Sequence, residues 1–228
     1  MIKLEQVTKT YQLGEHPLVA LDNVNLNITN GDYLSVMGPS GSGKSTLLNM
    51  IGLLDRPDSG DVIIDQQSTT QLEEESRAII RRKKIGFIFQ SFQLIQRLTA
   101  VENVEVPLML GGYSANQRRE KALNILRKLD LENRASHLPK QLSGGQLQRV
   151  AIARSLIMEP SILLADEPTG NLDSKSGQEV IELLESVNQS GLTLLVVTHD
   201  LQLGSRAPRK LQIVDGKLTE VEQHRAFS

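Results

Sequence analysis

The side chains best suited to handling phosphate lie together at Gly38-Pro39-Ser40-Gly41-Ser42-Gly43-Lys44-Ser45-Thr46. They fit the pattern G-x-x-x-x-G-K-[ST], in which each residue type has a physical task. Gly38, Gly41 and Gly43 let the backbone wrap close to an anion with its N–H groups turned inward. A helix starting at the end of this loop adds partial positive charge. Lys44 would reach the β- and γ-phosphates of a nucleotide, and the Ser45 hydroxyl would hold Mg²⁺. Ser40, Ser42 and Thr46 complete the cradle.

Further candidates follow downstream. Ser161–Ala165 is an apolar run that delivers Asp166 and Glu167 at its C-terminal end. Two adjacent carboxylates there suit a magnesium and water site, with Asp166 orienting the cation through water and Glu167 facing the attacking water. Leu192–Val197 ends in Thr198-His199-Asp200, which puts His199 where a γ-phosphate contact is expected. Gln90 follows the apolar run Ile85–Phe89, again at a strand's C-terminal end, where α/β sheets place ligand groups. Ser143-Gly144-Gly145-Gln146 has capping-box spacing ahead of an apolar-rich helix through Met158. It reads as a second anion-binding helix start, because a plain cap does not need two glycines. Tyr11 suits either packing at a strand end or a stacking platform for a purine ring.

These residues need a frame of strands and helices. Tyr33–Met37 is a short buried strand, and Leu47, Leu48, Met50, Ile51 and Leu54 form a helix face after the loop. Ile2–Val7 and Leu18–Ile28 alternate, which predicts an antiparallel sheet beside the nucleotide core. Leu72–Arg82 is predicted helical, and the basic run Arg81–Lys84 reads as a solvated face or a C-terminal complement to that helix. From 91 to 159 the pattern turns helical, with interruptions expected at Pro107, Gly111-Gly112 and Pro139. Phe92, Leu94, Ile95 and Leu98 at its entry are expected in a core, or in a docking patch if exposed. Val180, Leu183, Leu184 and Val187 form one helical stripe. Leu211–Val214 and Lys217–Val221 form a closing hairpin about Asp215-Gly216, and 222–228 is expected to be a loose tail.

Bulk properties narrow the function classes. A net charge of −2 gives no electrostatic argument for a nucleic-acid partner. The absence of cysteine excludes disulfides, thiolate metal sites and a cysteine nucleophile. No apolar run approaches the roughly 20 residues of a membrane span, and Met1–Glu5 lacks a signal-peptide core. The sequence is therefore expected to be soluble by itself, with no direct membrane insertion. Any membrane role must come through a partner.

The ordered set resembles the ATP-binding subunit of an ABC transporter over nearly the full length. Tyr11, the phosphate loop, a Q-loop at Gln90, the signature Leu142–Gln146, the acidic strand end at Glu167, the loop Asn171-Leu172-Asp173 and a switch at His199 stand in the family's order. Ile85–Gln90, Thr99–Val104 and Glu167–Asp173 look most like the branch of macrolide exporters, lipoprotein-release and cell-division ATPases. Asn-Leu-Asp at 171–173 replaces the more usual Ser-Ala-Leu-Asp, which supports that branch.

The resemblance implies an α/β fold: a P-loop NTPase (RecA-like) core with an N-terminal antiparallel β subdomain at 1–90 and 160–228, and an inserted helical subdomain at 91–159. It implies ATP and Mg²⁺ as ligands, with Ser45, Gln90 and Asp166 arranging the metal. It implies a head-to-tail homodimer in which Ser143, Gly144, Gly145 and Gln146 of one copy complete the other's site. It also implies a transmembrane permease partner with a large periplasmic domain, at the cytoplasmic face of the inner membrane. Two other readings use the same residues. One is an ABC-type ATPase of DNA repair or translation, which would usually carry a long coiled coil or tandem domains. The other is a regulatory ATPase of a cell-envelope or cell-division complex that transports nothing.

Overall fold

The structure, a computed structural model, describes residues 1–14 and 16–221. The tail expected at 222–228 lies outside the described residues. The chain runs through β1 (Ile2–Leu13), β2 (His16–Ile28), β3 (Tyr33–Met37), α1 (Lys44–Ile51), β4 (Ser59–Ile64), β5 (Gln67–Ser68), α2 (Glu74–Lys84) and β6 (Ile85–Phe89). Then come α3 (Ala100–Leu110), α4 (Ala115–Lys128), α5 (Gly144–Leu156), β7 (Ile162–Asp166) and α6 (Ser174–Gln189). The last elements are β8 (Thr193–Val197), α7 (Leu201–Arg206), β9 (Arg209–Val214) and β10 (Lys217–Glu220). These elements form two compact units, one from residues up to 77 together with 193–221, and one from residues 78–192.

In the first unit β1 pairs antiparallel with both β2 and β4, and β5 pairs antiparallel with β4 at the edge. Where β1 begins and β2 ends, every second residue is inside. Ile2, Leu4, Leu26 and Ile28 are buried while Lys3, Asn25 and Asn27 face out, as the alternation predicts. A second layer sets β3 between β8 and β9, all parallel, with β10 folded antiparallel onto β9. β8 is buried at all five positions and β3 at four of five, the pattern of strands covered on both faces. The one polar side chain inside β3, Ser35, donates to the Gly204 carbonyl at 2.8 Å.

α1 buries Leu47, Leu48, Met50 and Ile51. Leu54 does not belong to that face. The helix ends at Ile51 and Leu54 lies in the turn beyond it, 46% exposed. α2 begins at Glu74, later than the Leu72 start expected from the sequence, because residues 69–73 are turn. Its last turn is the basic run Arg81–Lys84, where Arg82 donates to the Leu110 carbonyl at 2.6 Å.

In the second unit β6 and β7 pair in parallel, and α5 packs on β6, α3 and α6. The described elements wholly within 91–159 are helical. Pro107 does not interrupt α3, contrary to expectation. The helix continues to Leu110, with Gly111 N–H donating to the Pro107 carbonyl at 2.9 Å. A proline inside a helix costs about 3 kcal/mol. Burying Val101, Val104 and Leu108 contributes about 1.5–3 kcal/mol apiece, which offsets it.

Of the entry cluster, Leu94 is buried, Phe92 and Leu98 are half-buried and Ile95 is 47% exposed. The chain there is pinned by Asn103, which is fully buried. Its Oδ1 accepts from Ile95 N–H at 2.8 Å, and its Nδ2 donates to the carbonyls of Ile95, Leu98 and Thr99.

Candidate functional site

In the first unit the C-terminal end of β3 runs directly into the glycine loop. Gly43 caps α1 with φ 109°, and Gly41 has φ 79°. Both lie in the left-handed region that side chains disfavour. A Cβ on Gly43 would stand 2.2 Å from the Ala20 carbonyl, and one on Gly38 would stand 2.1 Å from the Ile213 carbonyl. So β2 and β9 grip the loop at its two ends. A Cβ on Gly41 would meet nothing within 4 Å, so the tip faces open space. Lys44 Nζ donates to the carbonyls of Gly38 and Pro39, both at 2.8 Å, and so spans the loop. The Ser42 hydroxyl is 4% exposed and has no protein hydrogen-bond partner. α1 starts at Lys44, so the first N–H groups of its initial turn lie outside the helix's own ladder. This is the donor chemistry of an anion cradle, and a nucleotide's phosphates fit it.

β8 brings His199 to the same edge. Val36 and Val197 are paired, and Thr198 N–H donates to the Val36 carbonyl at 3.1 Å. Gly38 and His199 each lie two residues beyond that pair, and His199 is exposed. Asp200 caps α7 through the Gln202 N–H at 2.7 Å, which anchors the chain next to the histidine.

Tyr11 lies on β1, half-buried, with its hydroxyl donating to Asp55 Oδ2 at 3.0 Å. Lys9 Nζ sits 5.2 Å from the ring centroid and also bonds Asp55 Oδ1 at 3.1 Å and the Arg56 carbonyl at 2.8 Å. Burial pushes the Tyr11 hydroxyl's pKa up and Asp55 adds to this, while a hydrogen bond with Thr46 opposes it. Burial acts to lower the Lys9 pKa, yet its bond to Asp55 and the charges of Asp55 and Asp58 leave it raised. Thr46 belongs to the first turn of α1, so this network ties the tyrosine to the phosphate loop.

In the second unit β6 and β7 end in register, with Phe89 opposite Asp166. Gln90 and Glu167 therefore emerge side by side from parallel strand ends. Glu167 has φ 47°, an uncommon conformation for a residue with a side chain. A turn follows it, closed by Gly170 N–H on the Glu167 carbonyl at 3.1 Å. The structure thus gathers Gln90, Asp166 and Glu167 at one edge.

The signature residues open α5. Ser143 Oγ accepts from Gln146 N–H at 3.4 Å, and Gln146 Oε1 accepts from Ser143 N–H at 3.0 Å, so the capping box is formed. The glycines have a packing reason as well as a binding one. A Cβ on Gly145 would stand 3.0 Å from Ser176 Oγ, and one on Gly144 would stand 3.2 Å from the Leu172 side chain. The glycines let α5 begin close against the start of α6.

Other supports were not visible as site residues in the sequence. Gln148, fully buried on α5, donates to the Pro168 carbonyl at 2.6 Å. Arg154, in the last turn of the same helix, donates to the carbonyls of Phe92 at 2.9 Å and Gln93. One helix thus holds both the loop after Glu167 and the segment after Gln90. A glutamine at an otherwise apolar helix position was the one available signal. Arg154 gave none, because its partners are backbone carbonyls distant in sequence.

Among the described residues no helix is long and apolar enough to cross a membrane. The profile of the ABC transporter family matches residues 21–170. An uncharacterized ABC transporter ATP-binding protein, MJ0796 of Methanocaldococcus jannaschii, is 53% identical over 232 residues, spanning 100% of this chain and 99% of its own. The macrolide export ATP-binding/permease protein MacB of Burkholderia pseudomallei is 48% identical over 218 residues. That match covers 96% of this chain and 33% of the longer protein. Among solved structures, the dimeric post-hydrolysis state of the ATP-binding cassette MJ0796 bound to ADP and Pi aligns with a TM-score of 0.90 at 51% identity, over 100% of both chains.

Proposed function

We propose, from the premise that this chain belongs to the ABC transporter family, that it is the ATP-binding and ATP-hydrolysing subunit of a transporter, working as a head-to-tail pair. The observation that carries this reading is the presence of two separate helix starts suited to anions in one chain, α1 after Gly43 and α5 after Ser143. In a closed pair each ATP lies between the first start of one copy and the second start of the other. The relative MJ0796, dimeric with ADP and Pi bound, supports pairing and nucleotide binding.

Lys44 and the N–H groups of Gly41–Thr46 hold the phosphates, and Tyr11 offers its ring to the base. Ser45, Gln90 and Asp166 supply a hydroxyl, an amide and a carboxylate. This oxygen set fits Mg²⁺, which takes few protein ligands and shares the substrate's phosphates. When bound, the cation neutralises charge developing between the β- and γ-phosphates. Glu167 accepts a proton from the attacking water and His199 contacts the γ-phosphate. Ser143 and Gly145 of the facing copy close the cage, with Gly144 and Gln146 beside them. Catalysis is then mainly positioning and charge stabilisation.

The helical segment 91–159 and the Gln90 loop transmit closure to a permease that carries a large periplasmic domain. The chain sits peripherally on the cytoplasmic face of the plasma membrane. The cycle drives export, extraction or force transmission on a substrate such as a macrolide, peptide or lipoprotein, and the macrolide-export name of the MacB relatives supports the export reading.

Glu167→Gln tests the assignment. It keeps the size and shape of the side chain, replaces one acceptor oxygen with an NH2 donor, and removes the base. Turnover is expected to fall about 10²- to 10⁴-fold, the usual contribution of a general base. ATP binding is expected to persist, and an ATP-bound dimer to accumulate on size exclusion with light scattering. Undiminished turnover would remove Glu167 from the role of base.

A further inference from the structure

Asn171 makes two contacts with Gln90. Its Nδ2 donates to the Gln90 backbone carbonyl at 2.9 Å, and its Oδ1 lies 3.5 Å from Gln90 Nε2. A third contact comes from the neighbouring glycine. A Cβ on Gly170 would stand 2.7 Å from Gln90 Nε2, 3.1 Å from Cδ and 3.2 Å from Cγ. The side chain of Gln90 therefore lies across Gly170 and reaches Asn171. Gly170 is outside the left-handed region, so it is room for Gln90, rather than backbone freedom, that a side chain there would remove.

We infer that Asn171 and Gly170 are positioning residues for Gln90. Asn171 fixes its backbone and draws the nitrogen end of its amide toward itself, and Gly170 leaves the space in which the side chain lies. With Nε2 directed at Asn171, Oε1 is the end turned away from it. A cation needs an oxygen, so this orientation presents the correct atom. The segment that holds Gln90 also carries Glu167, only four residues before Asn171. The groups assigned to metal and to water are thereby fixed to a single turn, and a displacement of that turn moves both. The inference rests on the magnesium role proposed above for Gln90.

Two variants perturb Gln90 by different physics. Asn171→Ala removes the hydrogen bonds. Gly170→Ala leaves them available and crowds the side chain, against the flexible end of a residue that can move aside. Each is compared with Gln90→Ala in two measurements: the half-saturating Mg²⁺ for ATP hydrolysis, and the Mg²⁺ dependence of binding of a fluorescent ATP analogue, which needs no turnover. All three are expected to raise the half-saturating Mg²⁺ about 2- to 10-fold, the range that one neutral hydrogen bond supplies. Metal-free nucleotide binding should stay within about twofold. Asn171→Ala added to Gln90→Ala should produce little further change, because both act through one side chain.

If Gln90→Ala shifts the Mg²⁺ dependence and neither loop variant does, positioning by the loop is overturned and the metal role of Gln90 stands. Additive shifts in the double variant also overturn it. If Gln90→Ala itself leaves both Mg²⁺ curves in place, the metal role falls and this inference falls with it. Thermal midpoints separate these results from simple misfolding, since Gly170→Ala is expected to melt close to the parent.

Discussion

Tyr11 carries a ring and a hydroxyl that two substitutions can separate. Tyr11→Ala removes both and should raise the ATP KM more than it lowers kcat. Tyr11→Phe keeps the ring and loses the 3.0 Å bond to Asp55, so its KM should fall between parent and Ala. Steady-state kinetics at fixed Mg²⁺ decides this, and an unchanged KM in both variants returns Tyr11 to simple packing. Asp55 itself gives a pH prediction. Burial acts to raise its pKa, but hydrogen bonds from Arg56 N–H, Lys9 and Tyr11 hold it below the ordinary carboxylate range. A depressed carboxylate adds stability above its unfolded value of about 3.9 and loses it as pH falls through the lower folded value. The urea midpoint of the parent should therefore exceed that of Asp55→Asn at neutral pH, with the gap closing below about pH 4. A gap that persists in acid would show that packing, and not charge, makes the difference. The glycine loop was legible in the sequence because its chemistry is local. Asp55 was not, because its partners lie on a strand more than forty residues earlier.

At the scale of elements, α3 is held to its entry segment by Asn103, which makes four hydrogen bonds from a fully buried position. Asn103→Ala leaves those buried backbone groups without that partner, at about 1–3 kcal/mol for each group left unsatisfied. A loss of several kcal/mol in urea unfolding is expected, with circular dichroism retaining the helical signal. A loss below about 1 kcal/mol would mean that water or a shifted side chain replaces the amide. The sequence marks Asn103 only as part of Thr99–Val104, since an asparagine in a helix gives no sign of what it binds. Pro107 misled for the opposite reason. Its local rule is strong, but the rule does not weigh the apolar stripe of Val101, Val104 and Leu108 that keeps the helix intact. Gly144 and Gly145 are intermediate. Their type was readable as a special helix start, whereas the contact of Gly145 with Ser176 comes from tertiary packing.

For the whole molecule, the proposed pairing makes activity a property of concentration. The rate per molecule should fall on dilution, and the ATP dependence should be sigmoidal, because each site needs a second copy. A rate per molecule independent of dilution, with a strictly single species in ATP and Mg²⁺, would overturn the pairing. The strand order was the least readable feature. β3 lies between β8 and β9, yet no residue of β3 encodes partners so far along the chain. That the buried strands deliver chemistry at their C-terminal ends was readable, because apolar runs and polar termini follow one another directly in the sequence.

The grip of β9 and the turn that follows it on the glycine loop sets an order of events during synthesis. Gly38 lies against the Ile213 carbonyl, Gly216 N–H donates to the Ser42 carbonyl at 3.1 Å, and the Gly216 carbonyl accepts from Asp22 N–H at 2.9 Å. The loop that would bind nucleotide is translated well before the strands that shape it. A nascent chain stalled before residue 209 would carry every residue of the loop and still lack its mould. Nucleotide can then act as a folding partner only once those later strands have emerged.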